Sequence, residues 1–434
     1  MKRFALIFLF ACASDAPPAW TNAPTSIAMV QGETRSVPIA FTDPDGDPVA
    51  PTFASGLETE TTADALSLHA PFDAPATDTL SVSLDDGRGA TTTYAIPIAI
   101  APLAWKPSVS WAGSAGPQAR EHGTFLVDED ARTAFLVGGS GYSPQGTALG
   151  DFWKLDLDAG TWTAVTPTGD VPQPLASSRA VRMPGTTTAY LFGGYAGDGS
   201  VDTNDLYRVE YGGGALAFTK LAQTSPPPAR ELHGFGYDPQ TETFVAFGGF
   251  SYALGKALSD TWIMQLSGDT ASWTKLSGSA PSPRYGFFYG TDEQAGRFLV
   301  FSGAQNPTSK DAINAAQDTW ALDLRAQPPA WSQVLDGTEP GHAPGRRNGC
   351  FVVDPRGPSL YVFGGTSDGM TTQPGLFALD MRAGHEGFSE IVRPNEPPLR
   401  SSDFGFYDAK AGAVTCGFGN SSTGLFTDVN MIGP

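Results

Sequence analysis

The chain has 434 residues, room for two or three domains, and its 41% hydrophobic and 11% aromatic content suits a folded protein with a real core. Its 51 glycines and 36 prolines favour an all-β fold with many tight turns, and 45 acidic against 26 basic residues give a net charge of −19. That charge repels phosphate backbones, which excludes nucleic acid as a partner, and it keeps an exported protein soluble.

Lys2 and Arg3 form a short basic start, Phe4 to Ala11 is an apolar run, and Cys12 follows at once. The run is far shorter than the ~20 residues of a membrane-spanning helix. Residues 1–12 therefore read as an export signal. "LFAC" resembles the lipobox of bacterial lipoproteins, although Phe10 departs from the small residue usual there. The resemblance implies lipidation of Cys12 and an anchor in the cell envelope, outer membrane or cell surface of a bacterium. The other reading is a plain secretory signal. Residues 13–23 are a Pro/Ala-rich tether. With Cys12 lipidated, Cys350 and Cys416 remain, and they are expected as small buried strand residues rather than a disulfide framework.

From residue 24 to residue 100 apolar and polar residues alternate as in strands, in "SIAMV", "RSVPIAF", "TLSVSL" and "TYAIPIAI". "FTDPDGDPV" and "SLDDGRGATTTY" lie between them, and the arrangement resembles bacterial cadherin-like and immunoglobulin-like modules, small β-sandwiches. Asp43, Asp45 and Asp47 alternate, so they can offer several oxygens to one hard cation such as Ca²⁺. They equally suit a turn in which Pro44 and Gly46 set the backbone and the carboxylates cap N–H groups.

From Arg120 onward the chain repeats. Each unit runs from an arginine to a β-type stretch ending in a glycine pair, as in "RTAFLVGG", "ETFVAFGG" and "SLYVFGG". The pairs begin at Gly138, Gly193, Gly248, Ser302, Gly364 and Phe418, so serine and phenylalanine replace glycine twice. Arg120, Arg230, Arg284, Arg346 and Arg400 stand 18 residues before their pair; Arg179 stands 14 before, which reads as a shorter hairpin. A third strand then carries Trp153, Tyr207, Trp262, Trp320, Phe377 or Phe426, and a fourth carries Trp162, Phe218, Trp273, Trp331 or Phe388. A period near 50 with a di-glycine and later aromatics resembles the Kelch repeat, one four-stranded blade of a β-propeller. The resemblance implies a six-bladed propeller over residues 101–434 with the aromatics packed between blades.

The sixth repeat lacks its fourth aromatic: 426 + 11 = 437 lies past residue 434. "APLAWKPSVSW" supplies a spare strand, since Trp105 precedes Arg120 by 15 residues, within the range of the other fourth-strand aromatics. Residues 103–109 are therefore expected to pair with 425–431 and close the ring, so that removing the chain beyond Pro102 opens it.

The Kelch resemblance brings the six arginines to the innermost strand, near the central channel. In adaptor proteins of that family, arginines there contact acidic peptides. Arg120, Arg179, Arg230, Arg284, Arg346 and Arg400 are thus candidate ligand-binding residues at an anion-binding mouth. The other reading is architectural, each arginine holding carbonyls or an acidic side chain. No catalytic set is assigned: His69, His122, His233, His342 and His385 are scattered, and no zinc spacing, phosphate loop or serine elbow is present. The favoured function is a monomeric, lipid-anchored module binding an unknown protein or glycan through the long loops after the second strands, with no cofactor beyond Ca²⁺. The competing function is a carbohydrate-active enzyme similar to galactose oxidase or a sialic-acid mutarotase, both built on Kelch propellers.

Overall fold

The computed structural model of the protein describes residues 15–107, 109–110, 116–141, 146–197, 201–305, 314–369, 371–422 and 424–434. Cys12 lies outside them, as do parts of the long loops in the first and fourth repeats. Every regular element among the described residues is a β-strand, and the chain divides into two compact units, Met1–Pro102 and Leu103–Pro434.

In the first unit the alternating segments form two sheets. Ile27–Val30, Thr91–Ala101, Thr77–Asp85 and Ala50–Ala54 make one; Thr34–Pro38, Ala65–His69 and Glu58–Thr61 make the other. The inward residues Leu66, Leu68, Leu80, Leu84 and Ile98 are fully buried in one core drawn from both sheets. Each contributes about 2 kcal/mol by leaving water.

In the second unit each repeat folds around four antiparallel strands, to which Thr168–Gly169 in the second sheet and Ala222–Thr224 in the third add a parallel fifth. The third, for example, runs Gly234–Asp238, Thr243–Phe247, Thr261–Ser267 and Thr270–Lys275. The sixth takes Phe404–Asp408, Ala413–Gly417 and Asp428–Gly433 from the end of the chain and Ala104–Trp105 from its start. Aromatic side chains fill the gaps between sheets: Phe125 packs on Phe404 at 5.1 Å, and Trp105 on Phe363 at 5.5 Å.

The glycine pairs join neighbouring sheets. The first member takes φ between +59° and +66° in every repeat, Ser302 and Phe418 included, so the turn survives both replacements. The N–H of the second member donates to a carbonyl one sheet further on. Gly194 donates to Arg230, Gly249 to Arg284, Gly303 to Arg346 and Gly365 to Arg400, and Gly419 of the last repeat donates to Arg120 of the first.

A second circuit lies two residues after these carbonyls. His122 donates to Ser402, Ser402 to Asn348, Asn348 to Gly286, Gly286 to Leu232, Leu232 to Ser177 and Ser177 back to His122, all main chain to main chain. All six residues have φ between +50° and +62°. This closed loop of hydrogen bonds spans the channel where the innermost strands begin.

Both circuits correct the register read from the sequence. In the second repeat the residue bonded to Gly139 is Leu175, which stands 18 before Gly193 as the arginines do elsewhere. The hairpin is therefore of normal length, and Arg179 sits four residues further along, opposite Phe192, where Gly234 sits opposite Phe247. The sixth repeat shifts likewise. Asn430 pairs with Cys416 as Trp153 pairs with Leu136, so Asn430, not Phe426, holds the third-strand aromatic position. Trp105 faces Ile432 as Trp162 faces Leu155, and Val109 faces Val429. The paired stretch is Asp428–Gly433, which starts three residues later and ends two residues later than 425–431.

Cys350 and Cys416 are buried strand residues, but they are bonded to each other with S–S 2.08 Å. They link the first strand of the fifth sheet to the second strand of the sixth. Room for the bond comes from Gly405, where a Cβ would lie 2.6 Å from the Cys350 sulfur.

Candidate functional site

Five of the six candidate arginines are fully buried: Arg120, Arg230, Arg284, Arg346 and Arg400. Arg230 shows the pattern. Its guanidinium donates to both oxygens of Asp260, at 2.9 and 3.0 Å, and to the carbonyl of Gly248 at 3.0 Å. The indole of Trp262 donates to the same Asp260 at 2.7 Å. Arg120–Asp151–Trp153 and Arg284–Asp318–Trp320 repeat the set, and Arg400 grips Asp428. Burial pushes the Asp260 carboxyl up, but the Arg230 bonds outweigh it and hold the group below the usual carboxylate range. Arg346 faces Gly375 where the others face aspartate; its guanidinium bonds the carbonyls of Gly364 and Pro374 and lies 5.0 Å above Phe377. These five arginines are thus held inside their own sheets, and none of them lines the cavity that Arg179 borders.

Arg179 alone stands apart. It lies on the strand Arg179–Arg182 and borders a cavity of about 500 Å³ lined by first strands of several repeats. His122, Tyr289, Asn348 and Phe351 share this lining, which begins at the closed hydrogen-bond loop and reaches the exposed turn residues Glu293 and Pro355. Its Nε donates to the carbonyl of His233 at 3.2 Å, and its guanidinium lies 5.6 Å from the Phe351 ring centre. Burial pushes the Arg179 pKa down, with Tyr289 and Glu231 acting the other way. Burial, then Arg179 and Arg347, push His122 down to about 3, so its ring is neutral at pH 7.

The face where the innermost strands start carries a second cluster. Tyr252, Phe250 and Tyr285 form a row with ring centres 5.1 and 5.5 Å apart, and Arg347 continues it 5.4 Å above Tyr285. Tyr252, Leu254 and Val201 are exposed here. Beside the row, the N–H of Tyr252 donates to Asp202 at 2.5 Å. Burial raises the Asp202 carboxyl to about 6. Burial and then Asp202 raise Glu231 to about 8, with Ser177 and Arg179 opposing. Glu231 is therefore largely protonated at neutral pH. Nothing in the sequence marks this pair, because Asp202 and Glu231 come from different repeats.

In the first unit the aspartates follow the turn-capping reading in part. Asp43 accepts from the N–H groups of Asp45 at 2.8 Å and Asp47 at 3.2 Å, and Arg88 pairs with Asp47 at 2.9 Å. Buried oxygens of Asp43, Asp47 and Asp86 nevertheless have no hydrogen-bond partner. Burial, followed by the charges of Asp86, Asp45, Asp47 and Asp43, raises the pKa of nearby Asp15. Among the described residues, however, Asp43, Asp47 and Asp86 do not bring three ligand atoms within 4.8 Å of one another. Asp86, from "DDG", was the member that spacing alone did not single out.

A galactose-oxidase-type centre requires a cysteine joined to a tyrosine, and both described cysteines are spent on the disulfide. His233 is buried without a polar partner, next to Phe192, and does not form a histidine pair with His122.

These repeats define a Kelch-type protein, and the comparisons agree. The family described as KLHDC2/KLHL20/DRC7 Kelch-repeats domain matches residues 99–275 and 185–405, so the chain belongs to that family. Among curated proteins it is 26% identical to Adagio protein 3 of Arabidopsis thaliana over 268 residues, 61% of this chain and 41% of that one. It is 24% identical to Multiple epidermal growth factor-like domains protein 8 of Mus musculus over 225 residues, 50% of this chain and 8% of that one. The matches thus span less than half the length of these relatives. The solved structure of YjhT superimposes with a TM-score of 0.51 over 73% of this chain and 95% of its own, at 14% identity, a likeness of fold.

Proposed function

We propose that the protein is a binding module whose ligand is a protein docked on the strand-start face. The aromatic row Tyr252–Phe250–Tyr285, exposed at Tyr252 and part-buried beyond it, with Arg347 at its end, carries this reading. Tyrosine and arginine dominate the anchoring residues of protein interfaces because they bury large, rigid, amphipathic surfaces. Asp202 and the overall charge of −19 favour a basic partner. The remaining organisation is part of the same proposal: an exported chain lipidated at Cys12, a cadherin/Ig-like sandwich over 24–100 as spacer, and a monomeric six-bladed propeller whose last blade takes its outermost strand from Ala104–Trp105. The Cys350–Cys416 bond supports an oxidising, exported setting. Affinity capture from the producing cell's envelope, with the native chain and Tyr252→Ala side by side, is the test. A partner held by the native chain and released by the variant supports the reading. Retention of a glycan instead of a protein, or equal capture by both chains, overturns it.

A second reading, an enzyme acting on sugars, rests on the protonated Glu231 beside Asp202, which together supply an acid and a base. Anomer exchange by the native chain, lost in Glu231→Gln, is its measurement. The unpartnered oxygens of Asp43, Asp47 and Asp86 support Ca²⁺ binding in the first unit. A calcium titration that leaves the melting temperature unmoved rules that out.

A further inference from the structure

We propose that the turn at residues 252–255 is an acid-held latch over the carboxyls of Asp202 and Glu231: it stays shut while both are protonated and opens as they ionise, moving Tyr252 out of the aromatic row. This gives the strand-start face a regulator. Its consequence for docking rests on the reading proposed above; the latch itself does not.

The two acids come from different repeats and meet at one short hairpin. Its strands, Phe250–Ser251 and Lys256–Ala257, pair with each other, and residues 252–255 form the exposed turn between them. Glu231 lies at the base of the hairpin, where its main chain and that of Phe250 exchange two hydrogen bonds, at 3.0 and 2.9 Å. Asp202 reaches the turn from the second repeat, and its carboxylate accepts the Tyr252 N–H at 2.5 Å. The turn closes on itself through the Gly255 N–H and the Tyr252 carbonyl, 3.1 Å apart. Among the described residues, Asp202 is its one hydrogen-bond partner outside the hairpin. Glu231 is only 5% exposed, and the second oxygen of Asp202 is buried without a hydrogen-bond partner.

The groups around the pair are Glu121 from the first repeat, Ser177, Arg179 and Tyr195 from the second, Tyr252 from the turn and Tyr285 from the fourth. Lys256 stands exposed on the hairpin, and Arg347 lies beyond Tyr285. Among the described residues none of these cations forms an ion pair with either acid, so burial governs their protonation. Burial holds Asp202 at about 6 against the pull of the Tyr252 N–H. Burial, then the charge of Asp202, holds Glu231 at about 8 against Ser177 and Arg179. Opening the turn admits water, and wetted carboxyls return to ordinary values near 4. The shut state therefore binds protons more tightly than the open one. Acid favours it, and each ionisation favours opening. For Asp202 alone the balance moves about tenfold towards the open state between pH 5 and 8, and Glu231 acts in the same direction.

Residue-resolved hydrogen exchange of the full chain tests the latch without any partner. Corrected for the free-peptide rate, protection of the Tyr252 amide is expected to fall about tenfold or more from pH 5 to pH 8. Amides of the core strand Thr243–Phe247 report global opening and serve as the reference. Asn and Gln can accept the same bonds but do not ionise, so Asp202→Asn/Glu231→Gln is expected to hold its Tyr252 protection constant relative to that strand. Each single variant is expected to keep part of the slope, and these serve if the double variant does not fold. Native protection that is unchanged or rises with pH, or that falls equally in the double variant, overturns the latch. Capture of a partner that needs Tyr252 is expected to weaken at pH 8 in the native chain and not in the double variant. If Tyr252→Ala captures as well as the native chain, the docking reading fails, and the exchange result still decides the latch.

Discussion

At the scale of single residues the molecule separates charges that have partners from charges that do not. Asp403 is the clearest acidic case. It is 5% exposed, and neither carboxylate oxygen makes a well-formed hydrogen bond. Burial pushes its pKa up to about 8, with Arg400 and nearby backbone N–H groups pulling the other way. The unfolded chain releases that proton near pH 4. Between roughly pH 4 and 8 the folded state therefore holds a proton that the unfolded state has lost, so stability falls as pH rises through this window. His122, pushed down to about 3, acts with the opposite sign but only below its unfolded value near 6.5. Comparing urea midpoints at pH 6.5 and 8 isolates the carboxyl contribution. The native chain is expected to lose stability across that interval, and Asp403→Asn to lose less of it; Glu231, also near 8, keeps the slope from vanishing. An identical loss in both chains would falsify the assignment to Asp403.

At the scale of strands and sheets, the repeat, its arginines and the spare strand around Trp105 were legible because glycine pairs and aromatics mark backbone turns and packing sites directly. Two registers were misread by four residues for one reason: residue type was counted in place of position. Arg179 looked like a repeat arginine, although 18 residues before Gly193 stands Leu175. Phe426 looked like a third-strand aromatic, although "TDVN" carries Asp428 where "GDFW", "SDTW" and "QDTW" carry the aspartate that bonds the arginine. In fact Phe426 lies 4.1 Å beneath the Arg400 guanidinium, and so it still serves that arginine. The disulfide was not legible, because its cysteines lie in neighbouring sheets and meet only through the space left by Gly405. It closes a span of 66 residues. Replacing both cysteines by serine, or reducing the bond, is expected to cost about 2–4 kcal/mol in urea unfolding. A double variant as stable as the native chain removes the bond from any structural role.

At the scale of the whole molecule, the strand at Ala104–Trp105 has a different part from the one expected of it. It is the outermost strand of its sheet, in the order Ala104–Trp105, Asp428–Gly433, Ala413–Gly417, Phe404–Asp408. The inner join between the last and first sheets is made elsewhere, by Gly419 donating to Arg120 and His122 donating to Ser402. Arg132 adds a bond across the same join to Asp408, which is buried. Losing the first strand should therefore leave the inner circuit intact while exposing the edge of Asp428–Gly433. Leu103 and Trp105, 2% and 8% exposed, would lose their burial, worth roughly 4–5 kcal/mol together. A bare edge strand also invites pairing with a second copy. A chain shortened to begin at Pro102 is expected to melt as the full second unit does. One shortened to begin at Gly116 is expected to melt several degrees lower and to dimerise with rising concentration in sedimentation. If instead the shorter chain is wholly unfolded, the inner hydrogen bonds cannot hold the first and last sheets together without the strand that links them.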